Sequence, residues 1–349
     1  MPTHNRADVV GYAIASVLQQ TESDFELLVV GDGCTDDTAQ VVAGFGDERI
    51  RWYDLPKAPH FGYANRNVAL RDAAGELVAF AAHDDLLFPD HLELLSSAID
   101  ETGADWLYSR PLWVSTDGVI VPYCTNLTNA DELDDFLNVC NTIPASCVLH
   151  RRSCFERSGY WPEDVSVAAD WQFWIRIIND ASKIHYLPPP TTLHFSATWR
   201  KSRHSSASEV ETMLATADAA PWWPSSLSHN VGADQTEQGV IFAAMSATGG
   251  DWSTLARQDI ERVIDRLAWD AIRSPQAPDL AELARATQLA EASVAEMRRL
   301  KDLRAAEHHE AQAQIATLRA ELDSVYRSRT WRLAEPLRRA RAKLSGEPL

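Results

Sequence analysis

The stretch DFELLVVGDGCTDDT at residues 24–38 decides the fold class. Its first part, FELLVV at 25–30, is a short and continuous apolar run, which is typical of a strand buried on both faces. The following GDGCTDDT is rich in turn-forming and helix-capping residues, and it predicts a helix over residues 37–45. A buried strand that leads directly into a helix is the repeating unit of an α/β sheet, so this stretch predicts an α/β protein.

The same alternation of strand and helix extends to both sides of this stretch. Before it, apolar residues at helical spacing predict a helix over residues 8–20, with Asp8 as its N-cap. After it, apolar runs and helical patterns alternate, with strands at 50–55, 76–82 and 104–109 and helices at 64–73 and 89–102. This order predicts a doubly wound sheet, in which ligands lie outside the carboxyl ends of the strands.

Composition excludes several classes of function. The chain has 349 residues, 45% of them hydrophobic, and a net charge of −18, so a folded core is expected and a general nucleic-acid-binding protein is not. Five cysteines at irregular spacing favour reduced thiols in a cytoplasmic protein over a disulfide framework or a zinc site. We expect no signal peptide before Pro2, and no apolar stretch approaches the roughly 18 residues that a membrane span needs.

Two groups of aspartates follow predicted strands. Asp32, Asp36 and Asp37 lie in the turn of the opening stretch, and Asp84 and Asp85 follow the run ELVAFAA. Neighbouring carboxylates repel each other unless a cation or solvent offsets their charge. Mg²⁺ and Mn²⁺ prefer oxygen ligands, and Mg²⁺ often takes one or two carboxylates plus phosphate oxygens. Asp84 and Asp85 therefore predict either a divalent metal site that holds a diphosphate or caps for the next helix.

Several motifs, in this order and spacing, resemble glycosyltransferase family 2. In that family the motifs are roughly PTYNR, SVLxQT, DDGSTDDT, an RN pair, an acidic metal motif and EDxxLWxRL. The corresponding segments here are PTHNR at 2–6, AIASVLQQT at 13–21, the opening stretch, GYANRNVALRDAAGELVAFAAHDDLLFPDHLE at 62–93 and FERSGYWPEDVSVAADWQFWIRI at 155–177. HDD stands where the family usually has DxDD. The family also has an apolar strand before PTYNR, so we expect a truncated first strand here or a longer natural chain.

The resemblance implies a GT-A fold with a mixed sheet and inverting transfer from a nucleotide sugar. It implies that Thr3 and Asp32 contact the nucleoside and that Arg66 contacts the diphosphate. Asp84, supported by Asp85, would bind a divalent cation, Mn²⁺ or Mg²⁺, on that diphosphate. Asp170 matches the acid of the ED motif and would be the general base, because an acceptor hydroxyl needs a positioned proton acceptor. By position alone, Asp170 could also be an N-cap.

The chain divides by pattern into four parts. We predict a GT-A domain over residues 1–205, a helical extension over 206–278, a coiled coil over 279–326 and a basic amphipathic tail over 327–349. Apolar residues recur at alternating steps of four and three in the third part, which favours a homo-oligomer through a coiled coil or a single long helix folded back on the body. The basic tail favours either an anionic membrane surface or solvent.

The leading functional prediction is an inverting glycosyltransferase in the assembly of a bacterial surface polysaccharide or glycolipid. Its donor would be a nucleotide sugar and its acceptor a saccharide or a lipid-linked saccharide, in the cytoplasm or at the inner face of the plasma membrane. A catalytically idle scaffold that acts through the coiled coil is the alternative from another class. A sugar nucleotidyltransferase would need a glycine-rich GxGxR loop with a nearby lysine, and the sequence has none.

Overall fold

The computed structural model describes residues 1–123, 125–180, 183–195, 208–247 and 251–273, together with residue 314. The chain divides into two units, Met1–Pro275 and Gln276–Leu349. All strands and helices with described bounds belong to the first unit, since residue 314 alone is described in the second. The predicted coiled coil and basic tail therefore lie outside the described residues, apart from residue 314.

The first sheet is parallel and forms as the opening stretch predicts. Its elements are β1 (Pro2–Thr3), α1 (Val10–Leu18), β2 (Leu27–Asp32), α2 (Thr38–Ala43) and β3 (Ile50–Leu55). The strand order is β1-β2-β3, so each helix is a crossover between parallel neighbours. The first strand has two residues and pairs with the middle of β2.

The predicted cap of α1 is wrong. Val9 occupies the N-cap position, and no side chain caps this helix. The carboxylate of Asp8 instead pairs with the guanidinium of Arg6 at 3.2 Å. The tight turn that precedes the helix explains this shift, because the backbone N–H groups of Val9 and Val10 both donate to the carbonyl of Arg6.

The remaining elements of the α/β region run from residue 63 to residue 195. In chain order they are α3 (Tyr63–Asp72), β4 (Leu77–Ala79), β5 (Leu86–Leu87), α4 (His91–Thr102), β6 (Trp106–Ser109), β7 (Leu112–Val114), β8 (Ile120–Pro122), α5 (Ala130–Asn138), β9 (Val148–Arg151), α6 (Cys154–Ser158), α7 (Ala169–Asn179), β10 (Ile184–Leu187) and β11 (Thr192–Phe195). They form two mixed sheets with the strand orders β10-β6-β9-β4 and β5-β11-β7-β8. This mixed α/β architecture confirms the predicted fold class.

An aromatic core fills the space between α7 and the second sheet. Its largest fully buried side chains include Trp106, Tyr108, Phe173 and Trp174. The buried residues of α7, which are Ala169, Phe173, Trp174 and Ile177, recur at helical spacing, which is why this segment forms a helix with one buried face. Trp174 is fully buried in this core and packs the middle of α7 against the sheet.

Helices cover the third sheet. They are α8 (Ser208–Ala219), α9 (Glu237–Ala247) and α10 (Asp251–Arg273), and they lie in the predicted helical extension. Side chains from α9 and α10, such as Ile241 and Ile260, share one hydrophobic core with strand residues such as Leu112 and Leu193. Within the described residues, none of the helices is long and apolar enough to cross a membrane.

Candidate active site

Asp32 ends β2 and is 5% exposed, and donors surround its carboxylate. Oδ1 accepts hydrogen bonds from the backbone N–H of Ala58 at 2.8 Å and from Nδ2 of Asn65 at 2.7 Å. The ammonium group of Lys57 pairs with Oδ2. Burial alone would raise the pKa of Asp32, but the hydrogen bonds from Ala58 and Lys57 and the charge of Lys57 lower it below its ordinary value. Asp32 is therefore held as a carboxylate.

The loop that delivers these donors depends on a glycine. Gly62 has a φ of 70°, in the left-handed region, and it is the N-cap of α3. A Cβ at this position would come within 2.5 Å of Oδ2 of Asp32. Glycine is therefore required here twice, once for the backbone angle and once for the close approach to the carboxylate.

Thr3 lies where the sequence predicts a nucleoside contact, at the end of the first sheet. It is buried on β1, and its register partner is Gly31, the residue before Asp32. Its hydroxyl oxygen is buried and forms no hydrogen bond with the described residues. A buried hydroxyl without a partner costs free energy, and a ligand that hydrogen-bonds to this oxygen would recover that cost.

Arg66 lies on α3 between two aromatic rings. Its guanidinium carbon is 5.1 Å from the ring centroids of both Tyr63 and Trp161. Nη2 donates to the carbonyl of Phe61 at 3.1 Å, whereas Nε is buried and has no partner. Within the described part of the chain, no carboxylate forms an ion pair with this side chain. Burial lowers the pKa of Arg66, and the charge of Asp170 acts against that change. The result is a partly buried cation that forms no ion pair with a carboxylate among the described residues, although the charges of Asp170 and Asp32 reach it.

Asp170 lies in the first turn of α7, where the sequence predicts the general base. The N-cap is Ala168, with a left-handed φ of 57°, so the interpretation of Asp170 as an N-cap is wrong. The carboxylate is partly buried and accepts one long hydrogen bond, 3.4 Å from Nδ2 of Asn141. Burial raises the pKa of Asp170, while the N–H of Trp171 and the charge of Arg66 lower it, and the net change is upward. A raised pKa makes the ionised carboxylate a stronger base.

Asp85 is 2% exposed and its oxygens are occupied by protein donors. It accepts hydrogen bonds from Oγ of Ser146, from Nδ1 of His194 at 3.0 Å and from the N–H of Phe195 at 3.1 Å. Burial would raise the pKa of Asp85, but the charge and hydrogen bond of His194 lower it. The idea that Asp84 and Asp85 cap the next helix is wrong, because Asp90 is the N-cap of α4.

Asp84 is the more accessible of the two acids. One of its carboxylate oxygens lies 3.7 Å from Nε2 of His83, and its carbonyl accepts from Nε2 of Gln238 at 3.5 Å. Glu237, at the start of α9, is buried, and one of its carboxylate oxygens has no hydrogen-bond partner among the described residues. The charge of Asp84 contributes, after burial, to a raised pKa of Glu237. The side chains of Asp84 and Glu237 are therefore close enough for electrostatic repulsion.

A divalent cation fits this donor set when a diphosphate supplies further oxygens. In the segments that the structure describes, no group of three or more His, Cys, Asp and Glu side chains could hold a metal by itself. Mg²⁺ is commonly bound by one or two carboxylates together with the phosphates of a substrate. Asp84 offers such a carboxylate, whereas Asp85 would have to give up its protein donors to do so.

The structure brings two of the predicted site residues, Asp170 and Asp32, within electrostatic reach of a third, Arg66. The charges of Asp170 and Asp32 both act on Arg66. His194, held by Asp85, also acts on Asp170. Thr3 and Asp84 form no hydrogen bond or ion pair with these three residues in the described structure.

The sequence did not predict four residues that shape the site, Lys57, Asn65, Trp161 and Ser146. Asn65 and Lys57 satisfy Asp32, Trp161 stacks on Arg66, and Ser146 donates to Asp85. The sequence offered little to identify them beyond their nearness to motifs, as for Asn65, which directly precedes the RN pair at Arg66 and Asn67. Lys57 lies in a loop without any motif, and its partner became visible only in three dimensions.

Comparison with known proteins gives one family. Residues 1–159 match the family model described as Glycosyl transferase family 2. The chain is 31% identical over 120 residues to the Escherichia coli UDP-Glc:alpha-D-GlcNAc-diphosphoundecaprenol beta-1,3-glucosyltransferase WfgD, covering 34% of this chain and 47% of that protein. It is 27% identical over 215 residues to the Staphylococcus aureus poly(ribitol-phosphate) beta-N-acetylglucosaminyltransferase TarS, covering 60% of this chain and 37% of the relative.

Solved structures are similar to the same region. A crystal structure of S. aureus TarS in complex with UDP-GlcNAc superposes with a TM-score of 0.47 at 23% identity, covering 59% of each chain. The chain spans less than half of the length of the two relatives above, 47% and 37%. Asp170 lies beyond the residues that the family model matches.

Proposed function

We propose that this chain, whose residues 1–159 match the model of glycosyl transferase family 2, transfers a sugar from a nucleoside-diphosphate donor to an acceptor hydroxyl with inversion at the anomeric carbon. The acceptor we propose is a saccharide, free or lipid-linked, in the assembly of a bacterial surface polysaccharide. Two relatives are named for transfers of this kind, to a diphosphoundecaprenol-linked sugar and to poly(ribitol-phosphate).

One observation carries the proposal. Arg66 is a partly buried guanidinium that forms no ion pair with a carboxylate among the described residues, and it acts electrostatically on Asp170, a carboxylate with a raised pKa. Arginine stays protonated in proteins, so a guanidinium in this situation can bind an anionic ligand. A diphosphate next to a basic carboxylate is what transfer from a nucleoside-diphosphate sugar requires.

The residues support a single displacement. Asp170 accepts the proton of the acceptor hydroxyl as its oxygen forms a bond to the anomeric carbon of the sugar. The bond from that carbon to the diphosphate oxygen breaks on the opposite face, and the electron pair leaves with the nucleoside diphosphate. Arg66 stabilises the negative charge that grows on the leaving group, because charge-assisted hydrogen bonds strengthen as that charge develops.

The donor would be held at the ends of the first sheet. We propose that Thr3 offers its unpartnered hydroxyl to the nucleoside and that Asp32 accepts from the base through the oxygen that pairs with Lys57. Asp84, with Asp85 in support, would hold a divalent cation, Mn²⁺ or Mg²⁺, on the diphosphate. Such a cation, when bound, neutralises part of the charge of the leaving group.

The remaining predictions concern location and assembly. We propose that transfer takes place in the cytoplasm, at the inner face of the plasma membrane when the acceptor is lipid-linked. Residues 279–326 would form the contact between copies of the chain, and the basic tail at 327–349 would bind anionic lipids. Sedimentation of the full chain, with and without anionic vesicles at low salt, tests both parts.

Ligand-induced thermal shift tests the proposed donor class. Full-length protein with Mn²⁺ is titrated with UDP-, GDP- and dTDP-sugars, and at least one of these donors should raise the melting temperature. A ligand at 100 times its Kd stabilises a protein by about 2.7 kcal/mol. Arg66→Met and Asp84→Asn should each reduce that shift. Arg71→Met is the matched control, because Arg71 is an exposed arginine of the same helix that pairs with Glu163.

Two outcomes would contradict the proposal. Failure of all three donor classes to stabilise the wild-type protein would favour the idle scaffold. An equal loss of donor binding in Arg66→Met and Arg71→Met would remove Arg66 from the site and leave only a general effect of charge. Unchanged Mn²⁺ dependence in Asp84→Asn would overturn the metal assignment alone.

A further inference from the structure

Trp161 is held from two directions by neighbouring residues of α3. The guanidinium of Arg66 lies over its ring, 5.1 Å from the centroid. The side-chain amide of Asn67 pairs with its backbone, since Nδ2 donates to the carbonyl at 2.8 Å and Oδ1 accepts from the N–H at 3.2 Å. Asn67 is 1% exposed, and Nδ2 also donates to Glu163 at 2.8 Å. The RN pair thus binds one tryptophan through both its ring and its backbone.

The ring of Trp161 cannot turn away from Arg66. It is buried among other aromatic side chains, with centroid distances of 5.4 Å to Phe80, 6.1 Å to Trp174 and 6.2 Å to Tyr63. Tightly packed cores leave little room for a ring of this size to adopt another rotamer. Trp161 is therefore a rigid surface, attached to the same helix that carries Arg66.

Arg66 has few other constraints. Its one hydrogen bond is to the carbonyl of Phe61 at 3.1 Å, and Nε has no partner within the described residues. An arginine side chain has many rotamers, and holding one of them costs conformational entropy. Because no carboxylate in the described structure forms an ion pair with Arg66, the contacts with the rings of Tyr63 and Trp161 are the main interactions that restrain the guanidinium.

We propose that Trp161 is a positioning residue for the diphosphate of the donor, which it serves by holding Arg66 in a fixed orientation. The proposal rests on the donor class proposed above. Trp161 itself does not contact the donor. It acts through the guanidinium, and Asn67 acts through the backbone of Trp161. Arg66 and Asn67 are adjacent on α3, and from these positions they reach the ring and the backbone of Trp161, respectively.

A double-mutant cycle tests this inference on the full-length protein. The affinities of UDP, GDP and dTDP and of the matching monophosphates are measured for wild type, Trp161→Leu, Arg66→Met and the double mutant. Trp161→Leu should weaken the affinity for the preferred nucleoside diphosphate about three- to thirtyfold, which is the range of a buried cation–π contact. It should weaken the affinity for the matching monophosphate less than about twofold. In the Arg66→Met background, Trp161→Leu should change the affinity for the diphosphate less than about twofold.

Two further variants separate positioning from folding. Trp106→Leu is the matched control, because Trp106 is buried in the same core with an unpartnered indole N–H and is not stacked on an arginine in the described structure. It should lower the melting temperature and leave the ratio of diphosphate to monophosphate affinity unchanged. Trp161→Phe keeps an aromatic face under Arg66 and should retain most of the diphosphate binding, even if Trp161→Leu does not fold.

The outcomes are distinct. The positioning role would be overturned if Trp161→Leu weakened the affinities for diphosphate and monophosphate equally. It would also be overturned if Trp161→Leu weakened the affinity for the diphosphate as much in the Arg66→Met background as in wild type. In both cases the proposed donor class would stand. A Trp161→Phe variant that folds but loses the preference for diphosphate would also overturn it. Failure of wild type to bind any of the three diphosphates would overturn the proposed function and this inference with it.

Discussion

Asp32 and Asp170 both lie within electrostatic reach of Arg66, yet their surroundings give them opposite properties. Asp32 accepts hydrogen bonds or an ion pair from Ala58, Asn65 and Lys57, and its pKa is lowered despite burial. Asp170 accepts one long hydrogen bond from another side chain, and burial raises its pKa. The number and charge of the donors, and not burial alone, decide which form of each acid is stable.

This difference separates two roles. A carboxylate with several donors is a fixed acceptor, suited to binding and to holding a loop. A carboxylate that is desolvated with few donors is a stronger base, suited to taking a proton. The first turn of a helix by itself lowers the basicity of an acid. At Asp170, burial outweighs the backbone hydrogen bond of Trp171 and the charge of Arg66, so the net change of its pKa is upward.

The largest expected effect is the loss of transfer in Asp170→Asn. Asparagine has nearly the same size and keeps an oxygen at the start of α7, so folding and donor binding should persist. Transfer should fall about 10²–10⁴-fold, as expected for a lost general base. In wild type, the rate should fall on acidification at a pH above the ordinary value of an aspartate, near 3.9, because the base must be ionised and the pKa of Asp170 is raised.

Asp164→Asn is the control for that experiment, since Asp164 is an exposed acid of the preceding loop. It should leave transfer within about twofold of wild type. Near-normal turnover of Asp170→Asn with an identified acceptor would remove Asp170 as the base. Loss of turnover in Asp164→Asn alone would move that role to Asp164.

The next largest effect should come from Gly62→Ala, which disturbs the surroundings of Asp32. The added Cβ would meet Oδ2 of Asp32 at 2.5 Å and would occupy a left-handed backbone position. The left-handed angle costs about 1–2 kcal/mol and the overlap about 1–3 kcal/mol, so we expect a loss of about 2–5 kcal/mol in the free energy of unfolding. Chemical denaturation measures it. Gly103→Ala is the control, because its φ is 63° but a Cβ there meets nothing within 4 Å. Equal losses in the two variants would mean that Asp32 is not tightly enclosed.

Stability against pH should separate the two acids by sign. The lowered pKa of Asp32 means that its contribution is present above the unfolded value, about 3.9, and is lost as pH falls through the folded pKa. The raised pKa of Asp170 has the opposite effect, because ionisation of the buried acid costs stability as pH rises from about 3.9 through the folded pKa. At pH 7, Asp32→Asn should lower the free energy of unfolding by about 1–3 kcal/mol. Asp170→Asn should raise it by about 0.5–2 kcal/mol.

Urea denaturation between pH 3 and pH 7 checks both signs in one series. The difference between wild type and Asp170→Asn should disappear at the acidic end, where the carboxyl is protonated in both states. A destabilised Asp170→Asn at pH 7 would contradict the unfavourable desolvation of this acid. An unchanged free energy of unfolding in Asp32→Asn would show that the three donors to Asp32 find other partners.

Much of the fold and part of the site could be predicted from the sequence, for a physical reason. β2, β3 and α7 follow from apolar patterns that only one secondary structure can bury, and the motifs single out Thr3, Asp32, Arg66 and Asp84 as candidate site residues. Short strands such as β5 were not predicted, because two residues carry no periodicity. The partners of the acids were also missed. Asp85 meets His194 and Phe195 across more than a hundred residues, and no local pattern encodes that contact.

The smallest expected effect concerns Ala168, the left-handed residue that precedes the base. Its φ is 57° and its ψ is 39°, a conformation that costs an alanine about 1–2 kcal/mol. Glycine removes that cost but adds about 0.5–1 kcal/mol of conformational entropy in the unfolded chain, so Ala168→Gly should change stability by less than about 1 kcal/mol. The N–H groups of Ala169 and Ala168 act on the hydroxyl of Tyr63, which ties this turn to α3 and should keep Asp170 in place. Transfer by Ala168→Gly should therefore stay within about fivefold of wild type, against a loss of about 10²–10⁴-fold when the carboxylate is removed.

Ala168→Val is the matched variant, because a β-branched residue is strained in this region and should destabilise the turn. If Ala168→Gly lost as much transfer as Asp170→Asn, the left-handed turn itself, and not the burial of Asp170, would be what makes this acid a base.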